Sequence, residues 1–127
     1  MSILKFSEAF SLGIHSVKII KSKEEKVSLN YLAEELNGSV AHLSKVMQRL
    51  VKAGIIQSSR GPKGGFEISQ KFDKISFLQI YEIIEGKFPQ GVCMFAKPAC
   101  DGGDCLLGDL ICKVNKEVFE HLKNNYI

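Results

Sequence analysis

The chain has 127 residues, of which 45% are hydrophobic and 24% are charged, and its formal net charge is +3. This length suits one domain with a real core, and the composition is ordinary for a soluble globular protein. No apolar run approaches the roughly 20 residues that span a bilayer, and residues 1–5 lack the apolar core of a signal peptide. We therefore expect a cytoplasmic protein without a membrane partner, in which thiols stay reduced.

The charge is distributed unevenly along the chain. Between Leu36 and Phe66 the sequence has no acidic residue. The basic residues of this stretch are Lys45, Arg49, Lys52, Arg60 and Lys63. The other 12 of the 17 basic residues, and all 14 acidic residues, lie elsewhere. This segregation is typical of a surface that binds phosphates, although a solvated face is the simpler alternative.

The first part of the chain predicts three helices. Residues 6–21 carry apolar side chains at helical spacing, which indicates an amphipathic helix. Ser28 can cap a short second helix, and Asn37 with the following glycine can end it, since both tolerate a left-handed conformation. Ser39 then caps a third helix that stops before Gly54. Two helices joined by a short turn that contains glycine form a helix-turn-helix pattern.

The third helix has an apolar side for the core and a polar, cationic side for a groove of DNA. The apolar side consists of Val40, Leu43, Val46, Met47, Leu50 and Val51. The candidate DNA-binding side consists of Ser39, Ala41, His42, Ser44, Lys45, Gln48, Arg49 and Lys52. We expect the residues near the start of the helix to approach base edges and Arg49 and Lys52 to meet phosphates. A surface helix that is merely solvated is the alternative.

A glycine-rich turn follows directly. Residues 55–58 and 66–69 are short β-prone runs, and the turn between them predicts a two-stranded wing. Arg60 suits the strong negative potential of a narrow, A·T-rich minor groove. Lys63, Gly64 and Ser28 complete the predicted DNA-binding set. A nucleotide cradle is the weaker reading, because no Walker pattern and no helix follow the turn.

The rest of the chain predicts two more helices and a loop. Ser76 can cap a fourth helix over residues 77–85, while the prolines and glycines of residues 87–103 preclude a continuous element. A last helix, over about residues 104–124, has an apolar stripe formed by Leu107, Ile111, Val114, Val118 and Leu122. Such a stripe needs a covering surface, and a second copy of the chain is the economical one.

We therefore predict a mainly α fold with a small β-hairpin wing, which is a winged helix-turn-helix with a long C-terminal dimerisation helix. Residues 1–86 would be the DNA-binding part, residues 87–103 the cysteine-bearing loop and residues 104–127 the dimerisation helix. All three parts would belong to one structural domain.

Four cysteines, Cys93, Cys100, Cys105 and Cys112, fall within 20 residues of each other. Buried thiols are the plain alternative to ligands, but four among glycines and prolines favour ligation. Zinc usually needs close Cys pairs, whereas wider spacing on a loop suits an iron–sulfur cluster. In a helix that starts near residue 104, Cys105 and Cys112 would lie about 10.5 Å apart along the axis. The first three cysteines therefore form a set. The fourth ligand is Cys112, or a carboxylate or histidine from elsewhere, including a partner subunit.

The chain resembles the family of winged helix-turn-helix regulators that includes IscR, NsrR and CymR. The resemblance lies in the Tyr31-Leu32-Ala33-Glu34-Glu35-Leu36 helix, the wing sequence from Ser59 to Phe66, the segment from Ile75 to Gly86, and the cysteine loop. It implies a homodimer that binds a palindromic operator in double-stranded DNA and regulates transcription, which we expect to be repression. It also implies a redox-sensitive centre that controls DNA affinity.

The same resemblance assigns Cys93, Cys100 and Cys105 as cluster ligands. Gly108 stands where IscR-like members have the histidine of a 2Fe–2S site, and Glu8 stands where NsrR-like members supply a carboxylate to a 4Fe–4S site. A 4Fe–4S cluster is thus favoured over 2Fe–2S, and a purified apo form can lack it. Cys112 is an additional cysteine relative to the three of the family.

Two other functions compete with this reading. A winged-helix regulator could use its cysteines as a thiol switch, or respond to a protein partner, without any cluster. A thiol oxidoreductase is the enzymatic alternative, but the sequence has no C-x-x-C motif and no His/Asp constellation, so we do not expect an enzyme.

Overall fold

The computed structural model describes residues 5–89, 93 and 105–127. Within these ranges the chain forms five helices and one antiparallel pair of strands. The elements are α1 (Glu8–Ser22), α2 (Leu29–Glu35), α3 (Val40–Lys52), β1 (Ile56–Ser59), β2 (Gly65–Ile68), α4 (Phe77–Glu85) and α5 (Leu110–Asn124). This architecture confirms the predicted fold class, a mainly α winged helix-turn-helix.

Serine side chains fix the starts of the helices, as the sequence predicts. The Ser28 hydroxyl accepts a hydrogen bond from the Tyr31 N–H at 3.1 Å, and the Ser39 hydroxyl accepts one from the His42 N–H at 3.3 Å. Ser76 forms a reciprocal capping box with Gln79, in which each side chain accepts from the other residue's backbone. The local sequence therefore sets where α2, α3 and α4 begin.

The core lies where α1, α3 and α4 pack together, with β1 and β2 against one side. It includes Phe10, Val17, Leu43, Met47, Leu50, Ile55, Ile80 and Ile84, all almost completely buried. Val40 was predicted for this core, but it is 45% exposed because it is the first residue of α3 and projects beyond the packed turns. The other predicted apolar positions of α3 are buried or half-buried.

The wing strands lie one residue from their predicted positions. β1 and β2 pair antiparallel, with Ile56 opposite Ile68 and Ser59 opposite Gly65. A residue outside the two strands joins them, because Val27 forms an isolated bridge with Phe66. The wing is thus attached to the connection between α1 and α2.

The last helix starts later than predicted. α5 begins at Leu110 rather than near residue 104, because Gly108 adopts φ +60° and its N–H bonds the Cys105 carbonyl at 2.9 Å in a tight turn. A left-handed residue cannot continue a right-handed helix. Cys105 therefore precedes the helix, and Cys112 is its third residue.

Aromatic rings connect the helices from α1 to α5. Phe10, Tyr81, Phe88 and Phe119 contact one another in that order, in edge-to-face or tilted pairs with centroids 5.3 to 5.4 Å apart. Burial, followed by the charges of Glu85 and Glu82, raises the pKa of Tyr81 above 10.0. In the described ranges no helix is long and apolar enough to cross a membrane.

Candidate nucleic-acid interface and cysteine segment

The outward side of α3 carries most of the residues predicted to contact DNA. Ala41, Lys45, Gln48 and Lys52 are exposed, and Ser39 is exposed at the N-cap. The opposite side of the same helix is anchored in the core through its buried leucines and Met47. The helix therefore presents a polar and cationic face on a rigid support.

His42 and Ser44, also on this helix, have partners within the protein. His42 is half-buried, and its Nδ1 lies 3.8 Å from the Glu8 Oε2 at the start of α1. The Ser44 hydroxyl accepts a hydrogen bond from the Gln48 amide at 3.3 Å. DNA contacts by these side chains would replace existing intramolecular contacts.

Arg49, in the last turn of α3, also has a partner within the protein. Its guanidinium donates a hydrogen bond to the carbonyl of Ile84, in the last turn of α4. The final carbonyls of a helix lack intrahelical partners and carry a partial negative charge, so a cation is stabilised there. Arg49 thus links α3 to α4, while its side chain remains exposed on the outward side of α3.

The wing turn exposes two further cations. Gly61 has φ +98°, and the Gly64 N–H bonds the Gly61 carbonyl at 2.9 Å, which closes the turn around Lys63. A Cβ on Gly64 would lie 2.4 Å from the Ser59 carbonyl oxygen, so only glycine fits there. Arg60 and Lys63 are exposed on this turn. Across the part of the chain that is described, Lys45, Lys52, Arg60 and Lys63 make no side-chain hydrogen bond or ion pair.

A groove of about 1110 Å³ brings the wing and the start of α2 together. Ser28, Lys63 and Gly64, all predicted to bind DNA, line it. Glu24, Glu25 and Glu67 also line it, so its charge is mixed. The wing turn contributes Lys63 to this lining, and the connection between α1 and α2 contributes Lys23 and Lys26.

The sequence reasoning missed the attachment of the wing. Lys26, in the charged connection between α1 and α2, donates from Nζ to the Ser59 hydroxyl at 2.8 Å and lies 3.9 Å from Glu67 Oε1. The buried Val27, between a charged run and a helix N-cap, was the available signal, because an isolated apolar residue there must pack on something.

The cysteine segment is described only in part. Cys93 is half-buried, Cys105 and Cys112 are exposed, and Cys100 lies outside the described residues. Among the residues described, no three His, Cys, Asp or Glu side chains converge as a metal site would require. Thiolates suit iron–sulfur ligation, but the described residues alone do not supply a ligand set. Glu8, a candidate fourth ligand, lies beside His42.

Gly108 stands in the turn between Cys105 and α5. Its φ of +60° is strained for any residue with a side chain, and a histidine at this position would disturb the turn that leads into α5.

An apolar surface lies on α5 and beside it. Leu106, Leu107, Leu110 and Val114 are exposed, Leu106 almost completely. A neighbouring groove of about 540 Å³ between α1 and α5 is lined mainly by apolar side chains, among them Phe10, Ile14, Phe77 and Val118. Contiguous apolar surface of this kind is typical of an interaction site.

The helix-turn-helix, its attached wing and its exposed cations define a winged-helix protein of the DNA-binding class. A family model for Rrf2, described as iron-dependent transcriptional regulators, matches residues 6–127. The chain belongs to the Rrf2 family of transcriptional regulators.

Individual relatives agree with this assignment. One relative is a protein of Neisseria meningitidis serogroup A whose name describes it as an HTH-type transcriptional regulator. It is 29% identical over 96 residues, which are 76% of this chain and 65% of the relative. IscR of Pectobacterium atrosepticum is 26% identical over 106 residues, 83% of this chain and 64% of IscR. The chain thus spans less than two thirds of the length of these two relatives.

A solved structure gives the same result. CymR, the global cysteine regulator of B. subtilis, superposes with a TM-score of 0.75 at 26% identity and covers 98% of this chain and 93% of CymR. These similar proteins are transcriptional regulators and not enzymes, as the sequence predicted.

Proposed function

We propose that the protein is a transcriptional regulator that binds a palindromic operator as a homodimer, with α3 in the major groove and the wing at the adjacent minor groove. The observation that carries this proposal is the exposure of Lys45, Lys52, Arg60 and Lys63 from one stretch of chain that has no acidic residue. Exposed cations without intramolecular partners are available to phosphates and bases.

The contacts divide by position. Ser39, Ala41, Ser44 and Lys45 would approach base edges from the first turns of α3, where Ala41 offers a methyl group and Lys45 a donor. Gln48, Arg49 and Lys52, further along the helix, would meet the sugar–phosphate backbone. Arg60 would enter the minor groove, while Ser28, Lys63 and Gly64 would contact phosphates beside it. His42 would contribute only after leaving Glu8.

The dimer would form through α5. Leu110 and Val114 on the helix, with Leu106 and Leu107 just before it, are exposed and need a covering surface, and a second copy of the chain supplies an identical one. Two recognition helices related by two-fold symmetry read two half-sites about one helical turn apart.

We favour an iron–sulfur cluster as the group that controls DNA affinity. Cys93, Cys100 and Cys105 would hold it, with Cys112 or Glu8 as fourth ligand, and the bound group would supply a centre sensitive to oxidants. The iron-dependent description of the family and the likeness to IscR support this choice. The late start of α5 also supports it, because Cys105 and Cys112 are then not separated by two turns of one helix.

A thiol switch without a cluster is the second candidate. It is favoured by the exposure of Cys105 and Cys112 and by the likeness to CymR, a cysteine regulator. Exposed thiols are accessible to oxidation and to disulfide exchange.

Two measurements test these proposals. Selection of duplexes from a random-sequence library, followed by fluorescence anisotropy, should yield a palindromic site; failure to enrich any sequence would reject the DNA-binding proposal. The second measurement decides between a cluster and a thiol switch. It determines the iron content, the acid-labile sulfide content and the absorption spectrum of protein purified without oxygen. A cluster predicts bound iron and sulfide that Cys105→Ala diminishes, whereas a thiol switch predicts neither, with operator affinity that oxidant alone changes.

A further inference from the structure

The connection between α1 and α2 holds the base of the wing through its backbone. The Val27 N–H donates to the Phe66 carbonyl at 3.0 Å, and the Phe66 N–H donates to the Val27 carbonyl at 2.8 Å. A Cβ on Gly65 would lie 2.7 Å from the Val27 carbonyl oxygen, so the close approach requires glycine. Val27 thus acts as a one-residue third strand beside β2.

Lys26 adds a side-chain tie further out on the same wing. Its Nζ donates to the hydroxyl of Ser59, the last residue of β1, and lies near the Glu67 carboxylate on β2. One cation therefore touches both strands. Ser59 directly precedes Arg60 and pairs with Gly65, so the tie acts at the point where the strands enter the turn.

We propose that Lys26 is a positioning residue, which sets the direction of the wing so that Arg60 reaches the minor groove, and that Lys26 does not contact DNA itself. A two-stranded ribbon is only marginally stable alone and twists strongly, so an external tie near its end limits its directions. The inference rests on the proposed DNA binding. Its competitor is a direct contact between Lys26 and a phosphate.

Lys26→Met keeps most of the apolar stem and removes the ammonium group, while Ser59→Ala removes the acceptor on the wing without changing any charge. Binding of the library-selected duplex, measured by anisotropy, should weaken about threefold to tenfold in either variant, as expected for loss of one exposed, charge-assisted hydrogen bond. The double variant should bind no worse than Lys26→Met alone, because the hydrogen bond that Ser59→Ala removes is already absent in Lys26→Met. Lys26→Arg should restore most of the affinity.

The matched control is Lys23→Met, which removes the same charge from the same groove but carries no tie to the wing, since Lys23 lies over the Tyr31 ring. It should change affinity less than Lys26→Met. In an Arg60→Ala background, Lys26→Met should have little further effect on affinity, because the contact of Arg60 with the minor groove, which Lys26 positions, is already lost. An undiminished effect in that background, or unchanged affinity in Ser59→Ala, would overturn the proposal.

A measurement without DNA separates this inference from the proposed function. Amide hydrogen exchange at Phe66 should accelerate about threefold or more in Lys26→Met relative to wild type, because loosening the wing exposes its bond to Val27. If wild type enriches no sequence but the exchange accelerates, the DNA-binding proposal fails and the tie stands. Unchanged exchange would mean that Lys26 does not hold the wing.

Discussion

Lys52 and Arg60 have the same charge but occupy different places on the proposed interface. Lys52 is the last residue of α3, whereas Arg60 begins the wing turn immediately after β1. A cation at the end of a recognition helix meets phosphates, which are the same for every sequence. A guanidinium at a minor groove senses groove width, which depends on sequence.

We therefore expect Arg60→Ala to lose roughly 1–3 kcal/mol of binding free energy, most strongly on sites with A·T-rich flanks. Lys52→Ala should weaken binding to all duplexes alike and reduce the slope of log K against log salt by about 0.9. Anisotropy titrations on a panel of flank variants at several salt concentrations measure both effects. Equal losses from the two variants, with unchanged sequence preference, would contradict the assignment.

Substitutions of Gly65 and Gly61 distinguish two reasons for a glycine, which are close packing against another backbone segment and a positive φ. Both have positive φ, at +149° and +98°, but only Gly65 faces the Val27 backbone, whereas nothing lies within 4 Å of a Cβ on Gly61. Gly61→Ala should cost about 1–2 kcal/mol of unfolding free energy for conformation alone. Gly65→Ala should cost more, because the bridge to Val27 must also open. Urea unfolding compares the two, and equal losses would show that the close approach contributes nothing.

At the scale of elements, α4 depends on a local signal that can be tested. Ser76→Ala removes the hydroxyl that accepts from Gln79 and should destabilise the protein by about 1 kcal/mol. Ser76→Thr keeps a hydroxyl at the cap and should recover most of the loss. Thermal or urea unfolding measures the change, and an unaffected Ser76→Ala protein would show that α4 is held by packing alone.

The apolar side of α5 is the element proposed to join two subunits. Val114→Asp places a charge on this side and should dissociate the dimer, because an unpaired charge is costly in an apolar interface. Lys116→Asp, about 200° around the helix, is the matched control and should leave the mass unchanged. Sedimentation equilibrium reads the mass directly. A Val114→Asp protein with unchanged mass would exclude this surface from the interface.

At the scale of the whole molecule, the features that the sequence predicted correctly are those that residues close together in the chain determine. Ser28, Ser39 and Ser76 cap helices through bonds to residues three positions ahead, so local spacing was sufficient. The glycine-rich turn between two β-prone runs likewise indicated the wing. These features need no knowledge of tertiary contacts.

Contacts between distant parts of the chain could not be predicted. Arg49 binds a carbonyl 35 residues away, and Val27 pairs with Phe66 across the wing, so neither partner appears in the local pattern. The predicted start of α5 lay too near the N-terminus. Apolar side chains keep helical spacing back to Leu107, whereas the backbone leaves the helical conformation at Gly108. Periodicity records which side chains are apolar and misses a single left-handed residue.

The central claim is that α3 and the wing hold one duplex together. Backbone amide chemical shifts of the isotope-labelled protein, recorded as the library-selected duplex is added, test it most directly. The account predicts that the largest changes fall on residues 39–45 and 60–64 at the same DNA concentration. Large changes on α3 with none on the wing turn, or changes concentrated on α5, would contradict it.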